Sequence, residues 1–498
     1  MIMKILTVTI YAFIAFFLIA AGLTSQAQNC DCTTTQVLEN TVTPCNLTIG
    51  TEVTVNSIST FQNALNQANS SGGNMTILIA NGTYQIASTV SFPHIAADNV
   101  VIRSLSGNRD SVIIRGGGMV SRSSTENGFL VSGNNVTIAD LTIKEVANHG
   151  IQVSGHNLFV HNVRIQNTFE QMIKGSTGAS SIDSAVVQCA LMEYPMGIGP
   201  EWYIGGLDIH KGVDWLVRDN VFKSIISPSK AIAEHAVHFW DSSSNNTVER
   251  NLIVNCDRGI GFGLGSSQNT GGIIRNNMIY NDGTGQYNDV GISLETSPDT
   301  RVYNNTIHIE YFNAIEYRYN ATTNVDIKNN LTNQSIASRN GGKATLNTNL
   351  TNAQPSWYQN VNSGNLRLAA SNPNVVDQGT NLTSFVLDDI DKSARPQGMG
   401  FDIGAHEYKS PLTGRNEIRV DQNLSIFPNP STGMLTIVVD NMEPSKLALY
   451  NLYGEITYST RLLSVATVID FSHYAKGIYF YRIENGLGLV QTGKIIIQ

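Results

Sequence analysis

Five short phrases constrain this chain more than anything else in it: WLVRDNVF, NTVERNLI, GIIRNNMI, TRVYNNTI and VDIKNNLT. Their asparagines, Asn220, Asn251, Asn277, Asn305 and Asn330, return every 25 to 31 residues, a period that belongs to solenoid repeats. Each phrase alternates apolar and polar residues for a few positions and then turns, with no helical periodicity. A strand, a tight Asn turn and a second strand, repeated at this period, describe a right-handed parallel β-helix. A β-propeller would need four strands per repeat and a longer period. Asn suits the turn because it tolerates left-handed backbone angles, and stacked asparagines can hydrogen-bond from coil to coil. The composition agrees: 43 glycines and only 14% charged residues fit an all-β chain with many tight turns.

A second phrase follows the first within many coils. HGIQVSG, QMIKGST, GGLDIHK, HAVHFWD, RGIGFGL, DVGISLE and NAIEYRY each alternate inward apolar with outward residues, and alternate residues of a strand face opposite sides of the sheet. The first outward column reads Gln152, Lys174, Asp208, His238, Gly261, Ser293, Glu316; the second reads Ser154, Ser176, His210, Trp240, Gly263, Glu295, Arg318. With neighbouring coils about 4.8 Å apart, Lys174, Asp208 and His238 should be stacked neighbours, with His210 and Trp240 beside them. The entering turns contribute His149, Gln171, Gly205, His235 and Arg258. A solvated sheet face is ordinarily Thr, Ser and Asn with scattered charge. Here four of the ten histidines, at 149, 210, 235 and 238, gather on one face.

An outer groove on a β-helix is long and open at both ends, which suits a polymer. For an acidic polysaccharide the accessible chemistry starts with removal of the C5 proton of a uronic acid. That step needs a cation or strong donor on the neighbouring carboxylate and a base matched to the working pH. Eliminating the 4-linked leaving group makes a lyase; returning a proton to the opposite face makes an epimerase. His210, Lys174 and Tyr203 are the candidate bases and acids, His235 and Arg258 the candidate neutralisers, and Asp208 the orienting charge. His149, Trp202, His238, Trp240, Glu295, Glu316 and Arg318 are the candidate polymer contacts. Two-carboxylate hydrolysis would draw on Glu295, Glu316, Asp208 and Asp289, and a non-catalytic adhesin is the third class. Calcium needs several converging oxygens; Asp289, Glu295 and Glu316 could supply some, without a ligand motif. The net charge of −8 argues against a general nucleic-acid partner.

The stretch YIGGLDIHKG resembles the Tyr-to-Asp-x-His turn of mannuronan C5-epimerases, β-helical enzymes related to alginate and other polysaccharide lyases. In that family a Tyr, an Asp, a His and an upstream Lys surround the uronate, with a further His downstream; the matching positions are Tyr203, Asp208, His210, Lys174 and His235. The stretch departs in carrying Ile209 in place of the usual proline, one more residue between Tyr203 and Asp208, and a shorter gap to His235. Lyase and epimerase both stay open. FQNALNQANSSGGNMTILIANGTYQI and FDIGAHEY resemble secreted pectate-lyase-like β-helices more broadly. The resemblance implies a secreted lyase acting on an anionic polysaccharide such as alginate, pectate or a glycosaminoglycan.

Both ends speak of export. MIMKILTVTIYAFIAFFLIAAGLTSQAQ reads as a signal peptide cleaved after Ala27, with no membrane anchor left after processing. Export permits disulfides among Cys30, Cys32 and Cys45, while Cys189 and Cys256 sit in strand-like settings and read as core. After residue 408 a polar linker, 409–420, gives way to short alternating strands with Pro-Asn-Pro and Gly turns, a small β-sandwich over 421–498. Its order resembles the C-terminal sorting domain of the type IX secretion system, which implies that machinery as a partner. The expected domains are thus 1–27, 28–408, 409–420 and 421–498.

Overall fold

The computed structural model describes residues 30–86, 93–119, 126–175, 178, 180–229, 231–285, 287–409, 424–439, 445–485 and 490–498. The signal segment, the linker positions 410–420 and Ser176 lie outside the described residues. The chain forms two compact units, Met1–Lys409 and Ser410–Gln498.

The first unit is a parallel β-helix whose coils are built on the asparagine corner. Asn220 Nδ2 donates to Asn251 Oδ1 at 3.0 Å, Asn251 to Asn277 at 3.0 Å, Asn277 to Asn305 at 2.9 Å and Asn305 to Asn330 at 3.0 Å. Asn349 extends the ladder by accepting from Asn330 at 2.9 Å. The expectation about backbone angle needs correcting. It is the residue before each ladder asparagine that takes the left-handed conformation, with φ of 58° at Asp219, 52° at Arg250, 55° at Asn276, 51° at Asn304 and 56° at Asn329. The ladder asparagines are selected for their two-ended amide side chains, which satisfy buried backbone groups of the adjoining coils.

Among the described residues, three parallel sheets of twelve, ten and ten strands make up most of the unit, and a sheet of four short strands broadens the coils between Ile182 and Thr270. A two-stranded antiparallel sheet follows at Tyr358–Asn360 and Asn365–Leu368. One ten-stranded sheet carries the polar columns. Its register pairs Gln152 with Lys174, Lys174 with Asp208, Asp208 with His238, His238 with Gly261, Gly261 with Ser293 and Ser293 with Glu316. Directly inside it, Ile173, Leu207, Val237, Ile260, Ile292 and Ile315 stack as a fully buried aliphatic column. This inner column anchors the outer one, because a one-residue slip would turn it to solvent.

The helix Ile58–Ser71 precedes the first full coil. Its buried Phe61, Ala64, Leu65 and Ala68 follow helical spacing and pack into the core, with Phe61 edge-on to Tyr84 and Phe129. Cys30 pairs with Cys45 and Cys32 with Cys189, so Cys189 is a bridge and not a plain core residue; Cys256 is the buried free thiol. No helix among the described residues is long and apolar enough to cross a membrane. The second unit is antiparallel, with one sheet of three strands and one of four around Leu435, Leu447, Leu449, Phe471 and Ile495.

Candidate active site

Asp208 sits at the centre of the polar face, in the strand Gly205–His210. Lys174, one rung earlier, donates to its Oδ2, and Trp240 Nε1, one rung later, donates to Oδ1 at 2.7 Å. His238 Nδ1 lies 3.6 Å from the same Oδ1. Burial alone would push the Asp208 carboxyl up, but the His210 imidazole and the charges of Lys174 and His238 outweigh it and hold the group well below the ordinary carboxylate range. Asp208 is therefore a fixed negative charge, 1% exposed.

That charge decides the state of Lys174. Burial would release its proton, yet Asp208 and Tyr203 raise its pKa above the ordinary lysine value. A lysine held protonated is a donor and a cation, not a base, which corrects one of its two expected roles. Its Nζ lies 3.1 Å from His210 Nε2 and 5.9 Å from the centre of the Tyr203 ring. An ammonium has only protons to give, so His210 accepts through Nε2 and turns Nδ1 toward Asp241 Oδ2, 3.8 Å away. Asp241 lies outside the alternating strand positions. His210 ends its strand, half-exposed against Trp240 at 4.2 Å between ring centres. Tyr203 is half-buried in the preceding loop, and burial is the largest cause raising its pKa, so it keeps its phenolic proton. Trp202, exposed, packs beside it at 5.4 Å.

The histidines of the entering turns behave differently from their expected roles. His235 is buried over the Gly261 rung, where a Cβ would lie 2.7 Å from its Nε2, and that nitrogen reaches Ser293 Oγ at 3.0 Å. Burial and the neighbouring His238 lower its pKa to about 3. A neutral, enclosed ring cannot neutralise a substrate carboxylate. His149 is likewise buried, its Nδ1 3.2 Å from the Gln171 carbonyl and its pKa lowered to about 4 by burial and by Lys174; it supports the turn and does not face a polymer. His238 is fully buried too, but Glu234 and Asp208 overcome the burial and raise its pKa. Arg258 keeps partial exposure, with Glu234 Oε2 at 3.8 Å and Asp289 Oδ2 at 3.7 Å.

Glu234 was not foreseen. It arrives from a loop, where strand alternation gives no signal, and places Oε2 3.4 Å from His238 Nδ1 and 3.7 Å from His235 Nδ1. Those imidazoles pull its pKa well down against the burial that would raise it.

Farther along the sheet the acids are closed off. Arg318 donates to both Glu295 and Glu316, Arg339 adds a 2.8 Å bond to Glu316, and Asn313 donates to Glu316 at 2.6 Å. Asp289 Oδ1 lies 3.6 Å from Arg318. The three carboxylates proposed for calcium thus converge on the protein's own guanidinium. Glu316 is buried, but Asn313, Arg339 and Arg318 lower its pKa, the reverse of what a glycosidase acid requires.

The family described as a secretion system C-terminal sorting domain matches residues 425–498. The tail is a sorting domain. It directs type IX secretion to the cell surface or the extracellular space, so the sorted protein's partner is that machinery. No curated protein matches the chain. Among solved structures, pectate lyase Pel9A is 13% identical with a TM-score of 0.41, over 69% of this chain and 90% of that one. An alginate lyase from Paenibacillus sp. is 13% identical with a TM-score of 0.38, over 59% and 99%. The tailspike protein of E. coli bacteriophage HK620, in complex with a pentasaccharide, is 13% identical with a TM-score of 0.40, over 89% of each chain.

Proposed function

We propose that the sorted protein is a polysaccharide lyase that cleaves a uronic-acid-containing anionic polymer by C5 proton abstraction and β-elimination. The observation that carries this reading is the Lys174–Asp208–His210 cluster. A lysine kept charged by a buried aspartate touches an imidazole that reaches the surface. Lys174 is the donor that would engage the uronate carboxylate and stabilise the charge developing on it as C5 loses its proton. An arriving carboxylate competes for the ammonium and leaves His210 Nε2 as an unblocked acceptor, which makes His210 the base. Tyr203, protonated, with its ring centre 5.9 Å from the Lys174 ammonium, would be the acid for the leaving oxygen. Asp208 holds Lys174 charged, and Trp240 holds Asp208. Arg258 is the second cation for a neighbouring carboxylate, and Trp202 offers an exposed ring to a sugar face. C5-epimerisation shares the first step; there the C4–O4 bond stays intact and a proton returns to C5 from the opposite face, whereas in elimination that bond breaks and the leaving oxygen takes the proton.

The test is incubation of the mature protein with alginate, pectate and glycosaminoglycans. New ultraviolet absorbance from an unsaturated uronate supports the lyase. Changed stereochemistry without chain shortening means an epimerase, and new reducing ends without unsaturation mean a hydrolase. No change on any of the polymers favours an adhesin.

A further inference from the structure

Three atoms behind the reactive cluster have no hydrogen-bond partner among the described residues: Glu234 Oε2, His235 Nδ1 and His238 Nδ1. They face one another, all within 4.8 Å. Both imidazoles are at least nine-tenths buried, at 2% and 0% exposure. A buried polar atom left without a hydrogen bond loses its hydration with nothing in return, so three converging orphans demand an explanation. His238 Nδ1 comes within 3.4 Å of the carboxylate oxygen but without hydrogen-bond alignment. We infer that Glu234, His235 and His238 form a binding site for a divalent transition-metal ion of the zinc class.

The geometry fits on four counts. Two imidazole nitrogens and one carboxylate oxygen are the donor set that such ions take. The Glu234 Oε2 separations of 3.4 and 3.7 Å lie at, and a few tenths of an ångström beyond, the roughly 3.0–3.4 Å between ligands each about 2.1 Å from one ion, so closing on an ion takes only a small side-chain shift. The outer nitrogen of each ring is already held: His238 Nε2 donates to the Gly263 carbonyl at 3.1 Å, and His235 Nε2 meets Ser293 Oγ at 3.0 Å. Such outer bonds fix the tautomer and aim the inner lone pair, as in established metal sites. Finally, Gly261 gives His235 its place, since a Cβ there would lie 2.7–2.8 Å from three ring atoms.

A second trio, Asp389, Asp391 and His406, also converges, and the contrast is informative. Asp389 accepts from the backbone of Asp391, Ser393 and Glu407, Asp391 binds Arg367, and His406 Nδ1 accepts from the Leu368 amide. Its donors are spent on hydrogen bonds; those of the first trio make only longer ion-pair contacts, with Arg258 3.8 Å from Glu234 Oε2 and Asp208 3.6 Å from His238 Nδ1. An ion held by Glu234, His235 and His238 would tie the loop before Val237–Trp240 to the sheet, next to Asp208. It would bind whether or not the polymer chemistry proposed above is right.

The experiment uses the mature full chain without a histidine tag, stripped with a chelator, then titrated with Zn2+ and with Co2+ as a spectroscopic probe. The expected result is one equivalent bound, Co2+ visible bands from nitrogen ligation, and a rise in melting temperature. Glu234→Gln, His235→Ala and His238→Ala should each weaken binding by about tenfold or more. Gly261→Ala, which displaces His235 while leaving all three ligands in the sequence, should weaken it as well. Lys174→Ala should cut turnover by about a hundredfold or more yet keep the metal, so failure of the lyase reading and failure of the metal site are told apart. Binding that survives His238→Ala, or no binding in a protein folded by circular dichroism, overturns the site and leaves a metal-free imidazolium–carboxylate pair.

Discussion

The asparagine corner and the polar sheet face are built by the same device, a residue stacked on its counterpart one coil away, and they come out opposite. At the corner every rung carries the same side chain, and each amide gives to the asparagine of the next coil and accepts from that of the coil before: Asn277 donates to Val248, Arg275 and Asn305 and accepts from Asn251. On the sheet face the rungs change from Lys174 to Asp208 to His238 to Gly261, and buried atoms are left without partners. Uniform stacking closes its own hydrogen bonds and yields stability. Unlike stacking leaves charges and lone pairs for something else to complete.

The sharpest way to separate the two is to remove Lys174 or His210. Each change to Ala should cut turnover by about a hundredfold or more, with the denaturation midpoint little moved for the half-exposed His210. A small loss with both would place the chemistry elsewhere. At the corner the effects should be reversed. Asn277→Ala strands buried partners on two coils and should lower unfolding stability by about 2–3 kcal/mol, while turnover per folded molecule stays at the wild-type value.

A subtler test uses Asp140, which occupies the left-handed column beside the ladder at φ 56° and accepts from Asn162 at 2.8 Å, with Oδ2 unpartnered. Burial raises its pKa from 3.8 to about 7. Since the folded state holds the proton more tightly than the unfolded one, the wild type loses stability as pH rises from about 4 through about 7. Asp140→Asn removes that loss, so the variant should gain roughly 1–3 kcal/mol at pH 8 and nothing near pH 4. Urea melts at both pH values check it. The smallest effect on catalysis is expected from Glu316→Gln, within about threefold in turnover, because an abstraction mechanism needs no second carboxylic acid. A loss as large as that of His210→Ala would reverse the ranking and point to hydrolysis.

The repeat and the column from Gln152 to Glu316 were legible because both follow from a period. Once one coil is aligned, parallel register carries every outward residue to its place. What the period does not encode was missed. Glu234 and Asp241 come from a loop and a turn. The alternation marks Asp208 and His238 as facing outward, which they do, but not that loops and neighbours bury them. Lys174 is the instructive case. Its position was readable, whereas its charge state depends on the depth of Asp208, a property of the assembled face. The Cys32–Cys189 pairing spans 157 residues, and no local pattern predicts a partner so remote.

That bridge bears on how the molecule comes apart. In a stack of coils each layer is held by its neighbours, so opening starts at an end and runs inward, one layer at a time. Here the segment before the first strand, Thr51–Val55, is stitched to Cys189, beside the sixth strand of the twelve-stranded sheet. A coil that peels from this end remains leashed to the interior and re-docks at high effective concentration. Fraying is thereby traded for a larger cooperative block that includes the Lys174 rung, and hydrogen exchange in the first coils should slow together instead of grading outward. Reduction of the bridge would restore the gradient and expose that end to proteases outside the cell.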